Sequence, residues 1–157
     1  MKLTRRKLIA GAAASLAGVA ALAALRRRRR TWTPEASFSI QGEKRTVVSN
    51  GIPDHAIGDF PNPHDPVPLR PQTHRLEMPA RPQAAPAPTP LSMWLFGVAV
   101  NGVPFDPSGP FWNEDGGSGW QFEALHPAAA VALGIDVNRA HTQGRGMYHY
   151  HGLPTSL

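Results

Sequence analysis

The chain has 157 residues, room for one domain and not for a large multidomain enzyme. Its net charge is +5, yet nine basic residues and no acid lie in residues 1–30, so residues 31–157 hold seven basic and eleven acidic side chains, net −4. Phosphate recognition needs a basic folded surface, which excludes nucleic acid as an expected partner, and the absence of Cys excludes disulfides, a thiolate nucleophile and a cysteine zinc knuckle.

Met1 to Lys7 is basic, Leu8 to Leu25 is uncharged and rich in Ala, and Ala21-Leu22-Ala23 offers a small-x-small cleavage site. Thr4-Arg5-Arg6-Lys7-Leu8-Ile9 resembles a twin-arginine signal, the kind that exports proteins already folded. Arg26 to Arg30 directly after the apolar run also suits a stop-transfer flank. Residues 1–30 therefore read as a cleaved export signal or as a retained N-terminal membrane anchor. Under either reading the body is expected outside the cytoplasm, periplasmic or secreted.

All 17 Pro, 13 of the 15 Gly and all twelve aromatics follow residue 30. That composition predicts a small, mainly β, loop-rich antiparallel domain with at most one short helix. Residues 36–50 alternate and turn near Gly42, predicting a two-stranded start. Six Pro between Gly51 and Pro71 exclude a helix or a central strand there. Gln72 to Met78 alternates well enough for one strand, and Pro79 to Pro90 predicts a polyproline II spacer. Trp94 to Val100 leads into Asn101-Gly102 and then Val103-Pro104-Phe105, a strong signal for a buried hairpin. Asp106 to Gly119 reads as loop, a short helix is expected over Ala128–Leu133 after Pro127 and ending at Gly134, and Met147 to His151 reads as a strand.

Tyr148-His149-Tyr150-His151-Gly152 carries the chemistry. Residues two apart in a strand share a face, so His149 and His151 aim their imidazoles one way while both tyrosines of the chain face the other. Bare His-x-His spacing arises readily by chance among seven His, whereas the doubled Tyr-His pattern does not. Two convergent imidazoles make half of a site for a transition metal, with Cu or Zn the first choices. A third ligand is needed, and His141 stands across the Gly-rich turn Gln143-Gly144-Arg145-Gly146, which lets the chain double back. Asp54-His55 on the Pro-rich loop follows as a further pair, a ligand or an orienting group. The competing reading is an aromatic strand whose histidines bond to backbone carbonyls.

Other constellations are weaker. Glu114, Asp115 and Glu123 lie near Trp112 and Trp120 in sequence, the ingredients of a glycoside hydrolase without its geometry. No Gly-x-Ser-x-Gly elbow, phosphate loop or dinucleotide fingerprint is present. Two alternatives to a metal-binding protein stay open. One is a metal-free module presenting Trp94, Trp112 and Trp120 to a carbohydrate or protein partner. The other is a metal-dependent enzyme, of unknown substrate, with an open coordination position and Asp54 as base.

Several segments together resemble the YHYH-domain family of exported bacterial proteins. They are Asn50 to His55, Phe60-Pro61-Asn62, Phe96 to Asp106, Gly119-Trp120 with Glu123-Ala124-Leu125, and Tyr148 to Pro154. The resemblance spans about residues 48 to 157. It implies no particular reaction, and it places motif positions on Asp54, His55, Asn101, Asp106, His141, His149 and His151. The family's domain continues past this motif, so residues 31–157 are expected to form an incomplete YHYH-like domain.

Overall fold

The computed structural model describes residues 32–88, 95–110, 117 and 119–157, all of which belong to one unit, Trp32–Leu157. The export-signal segment, Trp94, Trp112, Glu114 and Asp115 lie outside the described residues. Among the described residues the architecture is mainly β: a three-stranded sheet, a four-stranded sheet and one short helix.

The first sheet is an antiparallel meander. Strand β1 (Ala36–Gln41) turns through Gly42-Glu43 into β2 (Lys44–Ser49), which pairs in turn with β3 (His74–Pro79). The two-stranded start and the third strand are thus where alternation placed them. β1 is an edge strand exposed along its whole length, while Val47 and Ser49 of β2 are buried. The Pro-rich segment between β2 and β3 contains neither helix nor strand, as expected. It is ordered by side chains instead. Asn62 Oδ1 accepts from the amides of His64 and Asp65, and Asp65 Oδ2 accepts from Thr142 N–H at 2.9 Å and Thr142 Oγ1 at 2.8 Å.

The second sheet has the order β4 (Gly97–Val98), β5 (Pro104–Phe105), β7 (Met147–Tyr150), β6 (Ala140–Gln143). β4 and β5 form the expected hairpin, but its paired strands are two residues long. The connection is a three-residue loop, Val100–Gly102, rather than a two-residue Asn-Gly turn. Gly102 N–H donates to Ala99 O, and Ala99 N–H to Val103 O. Gly102 has φ +82°, the left-handed residue such a loop requires. β5 meets β7 in parallel at Phe105 and Tyr150, and β6 and β7 form an antiparallel hairpin through the Gly-rich turn. Helix α1 (Pro127–Ala132) starts with Pro in its first turn and His126 as N-cap, and buries no residue.

The core lies on the tyrosine face of β7. Tyr148 and Tyr150 are fully buried with Ala99, Val103 and Ala140, and Phe60 and Phe105 pack against them. Each phenol reaches a polar partner at its tip: Tyr148 Oη donates to Asp136 Oδ2 at 2.7 Å, and Tyr150 Oη meets His55 Nε2 at 2.6 Å and Asn101 Nδ2 at 2.9 Å. Buried tyrosine is tolerated on those terms.

Candidate metal centre

Alternation along β7 sends His149 to the face opposite the two tyrosines. The antiparallel register sets His141 of β6 directly across from His149. His151 extends the same ladder by one step, its N–H donating to Arg139 O at 2.8 Å, and so returns to the histidine face. The three rings lie 4.7 to 5.1 Å apart, centroid to centroid. One ring nitrogen from each lies within 4.8 Å of the other two.

Backbone carbonyls orient two of the rings. His141 Nδ1 is 2.9 Å from Leu133 O, and His149 Nδ1 is 3.5 Å from Met147 O. A carbonyl only accepts, so the 2.9 Å contact puts the His141 proton on Nδ1 and leaves its Nε2 lone pair free to ligate, and the longer His149 contact favours the same arrangement in that ring. Asp65 Oδ2 lies 3.7 Å from His141 Nδ1 on the same outer side. His149 Nε2 and His151 Nε2 face each other at 3.1 Å, and His151 Nδ1 is buried without a hydrogen-bond partner among the described residues.

Burial makes these imidazoles weak bases. It holds His149 down at about 3, with His151 and His141 adding repulsion. His151 is lowered to about 4 by burial and then by His141. His141 is lowered by burial, which outweighs the opposing pull of Asp65 and the Leu133 carbonyl. All three are neutral near pH 7, the form in which imidazole ligates metals.

Asp54 and His55 stand elsewhere. His55 is bonded to the Tyr150 hydroxyl, and Asp54 Oδ1 accepts from Asn101 Nδ2 at 3.0 Å, so both belong to the tyrosine face of β7. Among the described residues the three-histidine group includes neither of them. Their bonds tie the Pro-rich loop to the core, helped by Asn138 Nδ2, which donates to Ala56 O at 2.8 Å.

Asp106 is a second carboxylate, besides Asp65, that reaches the histidine face. Phe105 is registered with Tyr150 and packs on it at 5.3 Å, so the next side chain points the opposite way. Its N–H donates to Tyr150 O at 2.9 Å, fixing it beside β7. The family motif marks Asp106, but local pattern does not show where it goes, because the placement depends on a parallel pairing between segments 45 residues apart. Glu123 also acts electrostatically on His151, from an exposed position.

Fold and site together define a small two-sheet β protein whose four-stranded sheet carries a buried group of three neutral imidazoles on one face. The chain belongs to the YHYH protein family, whose model matches residues 75–157. The matched span holds Asp106 and all three clustered histidines, and Asp54 and His55 precede it. Comparisons with curated proteins and with solved structures find no match.

Proposed function

We propose that the protein binds one transition-metal ion through His141, His149 and His151. The observation that carries this reading is three convergent, uncharged imidazoles in a buried patch. The spacing supports it: nitrogens bound at about 2.0–2.1 Å around a tetrahedral ion stand about 3.3–3.4 Å apart, near the 3.1 Å between His149 Nε2 and His151 Nε2. So does the outer ring of hydrogen bonds, since metal-bound histidines regularly donate their other N–H to a carbonyl or carboxylate. An all-nitrogen set without thiolate favours Zn(II) or Cu(II). Residues 1–30 support a place of action outside the cytoplasm.

Elemental analysis of the untagged protein, recovered from the exported fraction of its host, tests both parts. The expected result is close to one equivalent of Zn or Cu, lost in a folded His149→Ala/His151→Ala variant. No metal in the parent after incubation with Cu, Zn, Ni and Fe salts would overturn the metal assignment. Recovery from the cytoplasmic fraction alone would overturn the location.

A further inference from the structure

A divalent ion on three neutral imidazoles keeps its full charge, and of the two buried carboxylates beside the histidines Asp65 has both oxygens held, by Val67 and Thr142, whereas Asp106 does not. Asp106 is 6% exposed. Its Oδ1 accepts from Ser108 N–H at 3.0 Å and from Ser108 Oγ. Among the described residues its Oδ2 has a single contact, Gln143 Nε2 at 3.4 Å, longer than a good hydrogen bond. Among the described residues no Lys or Arg forms an ion pair with it. Burying an ionised carboxylate with one oxygen so poorly held is costly unless positive charge stands nearby.

Gln143 and His141 are two apart on β6 and share a face, so the contact of Asp106 Oδ2 with Gln143 Nε2 sets the carboxylate on the histidine face, where its charge acts on all three imidazoles. It is not part of the set of ligand atoms lying within 4.8 Å of one another. A carboxylate on this face but outside that set suits contact with a molecule carried by the metal better than contact with the metal itself. His149 and His141 are buried while His151 is partly exposed, so such a molecule enters past His151, where Glu123 adds a second negative charge.

We propose that Asp106 Oδ2 is a positioning group for the exogenous ligand of the metal, accepting a hydrogen bond from it. The site then takes neutral ligands that carry O–H or N–H at or beside the ligating atom, such as water and hydroxyl-bearing organic molecules. It disfavours anions. This rests on the metal reading above. A hydrogen bond to a charged acceptor contributes about 1.5–3 kcal/mol, which corresponds to about ten- to a hundredfold in affinity.

The test uses the whole protein loaded with Co(II), whose visible bands report exchange of the metal's outer ligand. Pyrazole ligates through one nitrogen and offers N–H from the next, whereas 1-methylpyrazole has no such donor and azide is an anion. In the parent protein pyrazole is expected to bind at least about tenfold more tightly than 1-methylpyrazole, with azide weakest. In Asp106→Asn, which keeps an acceptor for Ser108, the gap is expected to close and azide to gain about tenfold. Equal affinities of the two pyrazoles in the parent would overturn the proposal without any variant, as would an undiminished gap in Asp106→Asn. Absence of Co(II) bands in the parent, or identical bands in His149→Ala/His151→Ala, is a separate result that removes the metal reading and this inference with it.

Discussion

His149 has no exposed surface and stands between two other imidazoles, so a proton on it would be both desolvated and repelled. In the unfolded chain the same ring titrates near the ordinary histidine value of about 6.5, while in the folded, metal-free protein it is held at about 3. The unfolded state therefore takes up a proton as pH falls below about 6.5 and the folded state does not. Stability is fully present above that value and declines as pH drops toward about 3. The limiting slope is about 1.4 kcal/mol per pH unit for one imidazole. His141, His151 and His74 shift in the same direction, each chiefly through burial. Urea titrations of the metal-stripped protein are expected to show a midpoint that falls from pH 7.5 to pH 5, and less steeply in His149→Gln. A midpoint that does not move over that range would refute the buried, neutral state of these rings. At this scale the Tyr-His alternation was legible, because a period of two fixes which side chains share a face. The partners of Asp54 and His55 were not, since a loop's path is set by contacts made 95 residues away at Tyr150.

The β1–β2 and β4–β5 hairpins each turn through glycine, for different reasons. Gly42 has φ +60° with open space around its Cβ position, so only backbone conformation demands it. Gly102 has φ +82°, and a Cβ there would sit 2.5 Å from Ser49 Cβ and 2.9 Å from Ala36 Cβ. Its carbonyl also accepts from Ser49 Oγ at 2.6 Å, so this loop is where the second sheet meets the first. Gly42→Ala is expected to cost about 1–2 kcal/mol, the strain of a left-handed L-residue. Gly102→Ala adds a steric clash and puts the Ser49 bond at risk, for about 2–4 kcal/mol in all. Equal losses in denaturant titrations of the two variants would mean that the sheets do not meet at Gly102. The presence of the Asn101-Gly102 hairpin was readable from its residues. Its loop of three was not, because Asn101 and Gly102 are held by Tyr150 and Ser49, partners about fifty residues away in the chain.

Across the whole unit, the core is small for the chain it must hold. Its buried apolar members are few, and the ladder joining β5 to β7 rests on one residue pair. Long stretches of Pro-rich loop are kept in place by polar contacts such as Asp65 with Thr142, each contributing on the order of 1 kcal/mol. An ion on the histidine face would join β6, β7 and the segment carrying His151, at the end of the sheet where the hydrogen-bond ladder runs out. Ligands that bind only the folded state stabilise it in proportion to the logarithm of their saturation, about 2.7 kcal/mol at a hundredfold excess over the dissociation constant. For a domain of this size that corresponds to a rise in melting temperature of about 10 °C. Chelation of the loaded protein is therefore expected to lower its melting temperature by about that amount, and readdition of Zn(II) to restore it. In His149→Ala/His151→Ala the melting temperature is expected to be indifferent to both treatments. A chelator shift that persists in that variant would place the stabilising ion somewhere other than on His149 and His151.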